Sequence, residues 1–506
     1  MNLARSNALA RLANLAAAVM LVACGGDDAP RTSGLRLVNP AVYGLLSSVD
    51  AVGPGGADLL SDNPARADLA LQSNLAGGTV QLRFSCSGCD ISVAAAGATV
   101  GANQYISIPF ATLEASADAP VQVTDKRSGA QASYILRARP LDHPRYTVGV
   151  QPGAAVGDLY LTPFDPSGFA APYAYLVGND GALKFYYRNP RGQEIHDFKK
   201  TILPGGATRY SFYDGAAKAI RVMDANFALL ANVATLPFPD GNTYAVNLHD
   251  HVIVNDGHTI LGVQASKTVS NIPALPGQPL FVGGAGLQEI QNGVAVFSWL
   301  STDHPQLYAC STEGNNFVQN NGADYVHWDS VAVDGDGNWI ASFRHLDAVL
   351  KINRVNGTGP GTGAVTWILG GPCDQFGLNA GQKFSRQHHA RRAPDGRLTL
   401  FDNAVAGGGS RALAFNLDEA GKTLVNNNPA LPAFAEFKTD TRSSNNLGSA
   451  QFFTGGKLLV GWGSFPGTLS DVSEFDAVTA ALSMRLTLLP SDYSNGYFSY
   501  RAQKFP

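Results

Sequence analysis

The chain has 506 residues, of which 45% are hydrophobic, so it can bury a large core and is long enough for two or three domains. Its formal net charge of -4 shows no basic excess, which excludes nucleic acid as an expected partner. The 55 glycines and 28 prolines include many Asp-Gly, Asn-Gly and Gly-Gly pairs between short β-rich runs, which predicts an all-β protein with tight turns.

Residues 1–23 have the pattern of an export signal. Arg5 and Arg11 precede an alanine-rich apolar run that is too short for a convincing spanning helix. The run ends in Leu-Val-Ala-Cys and resembles the lipobox of bacterial lipoproteins, in which the cysteine, here Cys24, becomes the lipidated first residue. The alternative is an ordinary signal with an incidental cysteine. We expect an exported lipoprotein, periplasmic or outer-membrane-anchored, that contacts the membrane only through this lipid and a tether over residues 24–34.

Four further cysteines remain, an even number for an oxidising compartment. Cys86 and Cys89 form a CxxC sequence, and Cys310 could pair with Cys373. A lone CxxC could also be a redox motif or half a zinc site. No helix is expected after it and no second CxxC exists, so a structural disulfide is favoured.

The remaining chain divides into two regions that differ in their pattern of strands and turns. Residues 35–145 show short alternating strands and predict a small N-terminal β-sandwich. In residues 146–506, a residue near a strand start is repeatedly followed by a turn glycine 8 positions later, as from His249 to Gly257. Units with this spacing begin near residues 173, 198, 249, 327, 388 and 448. Because no such unit can bury both of its faces alone, the repeat predicts a six-bladed β-propeller.

Three histidines share one phase of this repeat. His249, His327 and His388 each stand 8 residues before a turn glycine. The first strand of each propeller blade lines the central channel, so equivalent positions converge near the axis. Histidines at strand starts are often simply hydrogen-bonded to a turn, but three at one phase predict a shared site.

The ordered motifs of residues 247–502 resemble the bacterial arylsulfate sulfotransferase family, which consists of PAPS-independent six-bladed propellers. The matching stretches are NLHDHVIVNDG (247–257), DYVHWDSVAV (324–333), IASFRH (340–345), TWILGG (366–371), FSRQHHA (384–390), LFDN (400–403), SRA (410–412) and SYRA (499–502). Each motif is weak alone, but the ordered set is specific, and the family also has a sandwich before the propeller.

The resemblance implies transfer of a sulfuryl group from an aryl sulfate donor to a phenolic acceptor, in two steps, through a sulfated histidine. The nucleophile's position falls on His388. His249 and His327 match the family's two other active-site histidines, and Arg344 matches its anion-binding arginine. A planar, permanently charged guanidinium can grip two sulfate oxygens, and neutral imidazole is a competent nucleophile near pH 7.

Two positions depart from the family's pattern. Asp329 stands where the family has Asn, and its charge would repel a sulfate if it pointed inward; we expect it to bind substrate, tune the site or act as a general base. His389 stands where Asp commonly follows the nucleophile, and strand alternation predicts that it faces the blade interior. His251 and His345 are expected to pack between blades or face solvent.

No cofactor is expected. The sequence has no Walker-type phosphate loop and no pyrophosphate-binding strand-turn-helix, so a nucleotide sulfate donor or ATP is not anticipated. The Asp-Gly pairs, including DGDGN at 334–338, are read as hairpin turns, because the distal Glu of an EF-hand is missing.

Two other functions stay open at this point. Three convergent histidines are also the ligand set of a catalytic zinc, with Asp329 or Asp250 as an oxygen ligand, which would make the protein a metal-dependent hydrolase. The propeller could instead be a non-catalytic lipoprotein that binds an aromatic, sulfated or glycan ligand, or a partner protein. The physiological donor and acceptor and the oligomeric state stay open.

Overall fold

The computed structural model describes strands and a few connecting residues between residues 48 and 138, and then the chain from residue 142 to its end at residue 506 except residues 180, 182, 314–321, 357–358, 405–406, 427–430, 439–441, 465–470 and 491–493. The export signal and tether lie outside these residues. Within the described part, no helix has the length and apolar character needed to cross a membrane.

The region predicted as a β-sandwich contains two sheets in its described part. Its strands are β1 (Ser48–Val52), β2 (Leu60–Ser61), β3 (Asp68–Leu71), β4 (Thr79–Ser85), β5 (Ile91–Ala95), β6 (Thr99–Val100), β7 (Tyr105–Pro109), β8 (Ala119–Asp125) and β9 (Gln131–Ala138). One sheet has the order β1-β4-β7-β6 and the other the order β2-β3-β9-β8-β5. The β3–β9 pair is parallel.

The propeller region begins with short, regularly spaced strands. They are β10 (Arg145–Val150), β11 (Asp158–Phe164), β12 (Tyr173–Val177), β13 (Leu183–Arg188), β14 (Ile195–Ile202), β15 (Thr208–Asp214), β16 (Ala219–Met223), β17 (Leu229–Val233), β18 (Ala245–Asn255), β19 (His258–Val269), β20 (Leu280–Gln291) and β21 (Val294–Leu300). Two 3-10 helices follow, at Ser301–Asp303 and Pro305–Cys310.

The second half continues in the same way. Its strands are β22 (Trp328–Val333), β23 (Trp339–Phe343), β24 (Ala348–Ile352), β25 (Val355–Asn356), β26 (Gly359–Pro360), β27 (Val365–Gly370), β28 (His388–Arg392), β29 (Leu398–Asp402), β30 (Arg411–Phe415), β31 (Leu417–Asp418), β32 (Thr423–Leu424), β33 (Phe434–Phe437), β34 (Ser449–Phe452), β35 (Lys457–Gly461), β36 (Asp471–Asp476), β37 (Leu482–Leu489) and β38 (Phe498–Phe505). A 3-10 turn at Arg344–Leu346 separates β23 from β24.

These strands form six blades, so the predicted six-bladed propeller is confirmed. From the axis outward, blade 1 is β38-β11-β12-β13, blade 2 is β14 to β17, blade 3 is β18 to β21, blade 4 is β22-β23-β24-β27, blade 5 is β28-β29-β30-β33 and blade 6 is β34 to β37 with β10 outermost. The inner strands β38, β14, β18, β22, β28 and β34 adjoin one another in a ring around the channel.

The predicted unit starting near residue 173 is wrong in one respect. Tyr173 begins β12, the third strand of blade 1 from the axis, and not an inner strand. The inner strand of that blade is β38, at the C-terminal end of the chain. The two ends of the propeller region are therefore joined at two places. β10 pairs with β37 and completes blade 6, and β38 pairs with β11 and completes blade 1.

Strands in the middle of the blades are buried on both faces, and mostly apolar, because neighbouring blades cover both. Every residue of β23 and of β24 is buried, and a continuous apolar run between turns is typical of such a strand. The aromatic residues Trp299, Trp328, Trp339 and Phe343 belong to one core cluster that joins blades 3 and 4. Packing of this kind fixes the angle at which successive inner strands meet the axis.

We predict that Gly262→Ala destabilises the propeller. A Cβ at Gly262, on β19, would lie 2.0 Å from the ring of Trp328 on the adjacent blade, so the buried indole or the backbone must move. Overpacking of this kind costs about 1–3 kcal/mol, which denaturant unfolding would measure. Gly335→Ala is the matched control, because a Cβ there meets nothing within 4 Å. Equal unfolding midpoints for the two variants would contradict the expectation.

Candidate active site

Irregular register on the inner strands shapes one end of the channel. The ladders to the second strand of each blade shift between His196 and Lys199 on β14, Val246 and His251 on β18, Trp328 and Ser330 on β22, and His388 and Arg391 on β28. Asp197, His327 and His389 adopt left-handed backbone conformations there, with φ of 56°, 47° and 57°. Bulges of this kind bend a strand and re-aim its side chains, commonly beside functional sites.

The structure brings the three predicted histidines together around one tyrosine. The rings of His249 and His327 lie 5.1 Å apart, edge to face. The ring of Tyr500, on β38, is 5.4 Å from His249 and 6.3 Å from His388. The four residues of this cluster therefore lie on, or directly before, four inner strands.

Each histidine is fixed through its Nδ1 atom. The Nδ1 of His249 bonds Asn247 Oδ1, a very short contact, and that of His327 lies 2.7 Å from Asp324 Oδ2. In His388 the Nδ1–H faces the Arg386 carbonyl at 3.0 Å and Asn403 Oδ1 at 2.7 Å.

The bonds of His388 set its tautomer. Both partners of Nδ1, the Arg386 carbonyl oxygen and Asn403 Oδ1, are hydrogen-bond acceptors. Nδ1 therefore carries the proton and Nε2 carries the lone pair. The described donor to Nε2 is the Leu447 N–H at 3.2 Å.

Burial keeps the imidazoles of His388 and His249 neutral. Desolvation lowers the pKa of His388, and this effect outweighs the opposing charge of Asp329. Desolvation also lowers the pKa of His249 well below its usual value, with a further contribution from His327. Removal of charged forms from water is the expected cause of such shifts. At neutral pH the lone pair of His388 Nε2 is therefore available.

Arg344 lies beside this cluster, in the 3-10 turn after β23. Its backbone N–H donates to the His327 carbonyl at 2.8 Å, which ties the two residues together. The guanidinium donates to His345 Nε2 at 3.0 Å and to the Asn445 carbonyl at 3.2 Å.

Asp329 points inward but is fully buried. One carboxylate oxygen accepts the Tyr500 hydroxyl at 2.6 Å and lies 3.7 Å from His388 Nε2. The other accepts the His389 N–H at 2.9 Å. Burial opposes ionisation, but the charge of Arg501 and the hydrogen bond from Tyr500 help to lower the pKa of this carboxyl below its usual value.

A sequence model of the arylsulfotransferase (ASST) family matches residues 238–481, which include blades 3 to 5, strands β34 to β36 of blade 6 and all four predicted catalytic residues. This part of the chain belongs to the arylsulfotransferase family. The family supports arylsulfate sulfotransferase activity on small aryl substrates. Among curated proteins, none matches the chain.

Several solved structures are distantly similar to this chain. A Bacteroides caccae protein of unknown function is 11% identical, with 69% of this chain and 99% of that chain covered and a TM-score of 0.38. An inactive variant of Staphylococcus aureus virginiamycin B lyase with quinupristin is 10% identical, with 69% and 100% covered and a TM-score of 0.31. A puromycin hydrolase variant is 11% identical, with 65% and 45% covered and a TM-score of 0.33. At these scores the matches carry no argument about function.

The site contains two residues that the repeat did not reveal, Tyr500 and Arg501. They lie in the SYRA stretch of the resemblance, but the 8-residue spacing to a turn glycine did not mark this strand. Tyr500 is 1% exposed and packs against His196 as well as His249 and His388. Only the family motif could have marked this strand from the sequence.

Arg501 belongs to a buried charge network that crosses the channel below the histidines. Its guanidinium lies 2.9 Å from Asp197 and 3.4 Å from Asp250. Lys199 bridges the same two carboxylates at 2.6 Å each, and Arg391 pairs closely with Asp250. Together with Asp329, three carboxylates face three cations. Buried charges are tolerated when they are paired in this way.

The neighbouring histidines take different positions. His251 is fully buried, and its Nε2 bonds Ser211 Oγ at 2.8 Å. His389 is buried, with its Nδ1 donating to the Ala450 carbonyl at 2.9 Å. His345, which we expected to pack between blades or face solvent, lies in the site: its ring is 4.6 Å from His327 and it accepts the bond from Arg344.

The described residues that could jointly hold a metal ion are Asp324, His327 and His345, whose ligand atoms lie within 4.8 Å of one another. This group differs from the trio His249, His327 and His388 considered from the sequence. Its fit to a cation is poor, because Arg344 donates to His345 Nε2 and Asp324 already accepts from His327.

Of the predicted cysteine sites, the structure describes one pair. Cys310 and Cys373 form a disulfide with a Cα–Cα distance of 5.3 Å. It ties the 3-10 helix before blade 4 to the loop after β27, on either side of His327 and Arg344 in the chain. Cys24, Cys86 and Cys89 lie outside the described residues.

We predict that His196 makes the propeller less stable in acid. Burial lowers the pKa of His196 from 6.5 to about 4. The unfolded chain therefore binds a proton below pH 6.5 that the native site refuses, so stability falls as the pH drops from 6.5 towards 4. At 1.36 kcal/mol per unit the loss is about 3 kcal/mol. Denaturant unfolding of the protein and of His196→Phe at both pH values would measure it.

Unfolding at pH 8 is the reference for this comparison of the two proteins. At pH 8 the imidazole is neutral in both states, so the difference between the two proteins there reports packing alone. The His196→Phe variant is expected to lose less stability between pH 6.5 and 4 than the unchanged protein. Parallel pH profiles would show that His196 is protonated without cost in the native state.

Proposed function

We propose that the propeller transfers a sulfuryl group from an aryl sulfate to a phenol by a two-step exchange, with His388 as the covalent carrier and no nucleotide donor. The observation that carries this proposal is the fixed tautomer of His388. Its Nε2 lone pair sits in a cluster with His249, and Arg344 contributes charge close enough to affect the pKa of His388. Family membership supports the reaction class.

In the first step, Nε2 of His388 attacks the sulfur of the donor. The N–S bond forms as the S–O bond to the aryl group breaks, and the phenolate leaves. Negative charge spreads over the sulfuryl oxygens, so positioning and charge stabilisation are the main catalytic needs, as in phosphoryl transfer. Arg344 supplies the permanent charge, and the incoming sulfur displaces the Leu447 N–H from Nε2.

In the second step, the acceptor phenol attacks the same sulfur. The new O–S bond forms as the N–S bond breaks, and His388 returns to its neutral tautomer. The phenolic proton goes to a neutral imidazole, for which His249 is suited because burial keeps its pKa low and its ring neutral before the step. His327, whose ring contacts His249, hydrogen-bonds the sulfuryl group or the phenolic oxygen.

Asp329 tunes this exchange in our proposal. Its carboxylate is held by Tyr500 and the His389 N–H, and lies 3.7 Å from the atom that would carry the sulfuryl group. Its charge therefore opposes donor binding and destabilises the sulfated intermediate, which promotes onward transfer. The same charge also favours the second candidate function, a propeller that binds an aryl or sulfated ligand without turnover.

The proposal also includes export. Residues 1–23 would direct the chain out of the cytoplasm, and lipidation of Cys24 would hold residues 35–506 at a membrane surface through the tether. The support is the sequence pattern alone. A disulfide in the propeller is compatible with an oxidising compartment.

We predict that the chain beginning at Gly25 releases 4-nitrophenol from 4-nitrophenyl sulfate when phenol is added, after exhaustive chelation of metals. Replacing the nucleophile in His388→Ala should lower kcat at least about 1,000-fold, because no other group replaces the covalent step. Acid-labile sulfation of the protein, detected by mass spectrometry with donor alone, should disappear in this variant.

His304→Ala is the matched control, since this half-buried histidine stacks on Trp299 away from the cluster. It should leave kcat unchanged. Release that is lost on chelation would favour the metal-dependent hydrolase. A folded protein that binds 4-nitrophenyl sulfate but never releases 4-nitrophenol would favour the binding function.

We predict that Asp329→Asn tightens binding of 4-nitrophenyl sulfate about tenfold, because one negative charge near the sulfate site is removed while Tyr500 keeps an acceptor. Equilibrium binding would measure the dissociation constant. Asp256→Asn removes the same charge from an exposed ion pair with Arg209 and should have no effect. An unchanged constant in Asp329→Asn would place this carboxylate outside the reach of the sulfate.

A further inference from the structure

A second arginine accompanies Arg344 at the histidine cluster. Arg386 precedes His388 by two residues, and its carbonyl accepts the Nδ1–H of that histidine at 3.0 Å. Its backbone N–H donates to Asp347 Oδ1 at 2.7 Å. It holds a left-handed backbone conformation with φ of 56°. Strained residues persist where the surroundings enforce them, often at ligand sites.

Both guanidinium groups keep unused donors. Among the described residues, Arg344 Nε and Arg386 Nη1 are buried and have no hydrogen-bond partner. No described carboxylate forms an ion pair with Arg344, whose guanidinium bonds only His345 and the Asn445 carbonyl. Buried N–H groups without partners are costly, and an anionic ligand would satisfy them.

The two arginines lie close enough to oppose each other's charge. Burial lowers the pKa of Arg344, and the next largest cause is the charge of Arg386. Two like charges held together in a half-buried place are a costly arrangement that an anion between them would relieve. Asp329, Asp347 and Glu313 are the carboxylates whose charges reach Arg344.

Glu313 is the counter-ion of Arg386. Its Oε1 lies 2.5 Å from Arg386 Nη2 and 3.9 Å from His345 Nε2. The side chains of Arg386 and Glu313 are 21% and 32% exposed, so solvent and ligand can reach this pair. A half-exposed ion pair of this kind contributes little to stability and is readily exchanged for another anion.

We propose that Arg386 is a second anion-binding residue of the site, and that the sulfate group of an organic sulfate monoester displaces Glu313 from it and is held between Arg386 and Arg344. Glu313 then acts as a resident competitor that weakens binding of the anion. Because Arg386 also positions the Nδ1–H of His388 through its backbone, sulfate bound there is placed beside the nucleophile. The choice of an organic sulfate as ligand rests on the proposed function.

The test is binding of inorganic sulfate to the full-length protein, measured calorimetrically, with four proteins in a double-mutant cycle. Arg386→Gln should raise the dissociation constant about tenfold, and Arg386→Lys should recover part of the loss. Glu313→Gln should lower the constant several-fold. In the double variant the effect of Glu313→Gln should shrink to the part that its charge exerts through Arg344, because most of the effect passes through the ion pair with Arg386.

Arg397→Gln is the matched control, since Arg397 pairs with Asp395 on a surface hairpin of the same blade. It should not change sulfate binding, and unfolding midpoints of all variants should stay close together. Equal sulfate affinity in Arg386→Gln and the unchanged protein would overturn the proposal. So would a Glu313→Gln effect of undiminished size in the protein that lacks Arg386.

Sulfate binding and turnover, measured separately, distinguish failure of the anion site from failure of the transferase reaction. Sulfate binding that obeys the cycle in a protein without turnover would uphold the anion site and reject the transferase. Turnover of 4-nitrophenyl sulfate with a KM that Arg386→Gln leaves unchanged would uphold the transferase and reject Arg386 as a sulfate ligand. If the protein has both the anion site and the transferase activity, Arg386→Gln raises KM more than it lowers kcat, and Arg386→Lys restores KM in part.

Discussion

Three carboxylates and three cations, buried on the axis of the propeller, connect the inner strands of five blades. Asp197 and Lys199 belong to blade 2, Asp250 to blade 3, Asp329 to blade 4, Arg391 to blade 5 and Arg501 to blade 1. The three carboxylates and Arg501 have lost their water, so each needs its partner, and removing one partner of a buried pair commonly costs about 3–5 kcal/mol. The network therefore sets how the inner strands meet, and the histidine cluster lies directly above it.

The network reaches the reacting atoms through a single carboxylate. Asp329 contacts Arg501 on one side and lies near His388 Nε2 on the other. Tyr500 and the His389 N–H hold it in this orientation. The negative charge of Asp329, which would be unfavourable beside a sulfate, is thus stabilised by its contact with Arg501. This arrangement explains how a carboxylate can occupy the position where the family has a neutral amide.

The fold and the predicted site residues were accessible from sequence to different degrees. The constant spacing between strand start and turn glycine predicted six blades and the phase of His249, His327 and His388. It failed for blade 1, because that blade takes its inner strand from the other end of the chain. It also missed Arg386, since nothing in a residue two positions before a nucleophile indicates where its guanidinium points. The loop after β23 similarly turned Arg344 and His345 together, which strand alternation did not predict.

The amino-acid sequence by itself determined the all-β class, the number of blades and the family, because these depend on local periodicity and on motifs read along the chain. Only the tertiary structure decided which charges pair and which donors stay unused. Tyr500 and Arg501 come from the last strand, Glu313 from the loop before blade 4 and Asp197 from blade 2, far from His388 in the chain. Closing the ring brings these residues to one axis, and burial there fixes their protonation and their partners.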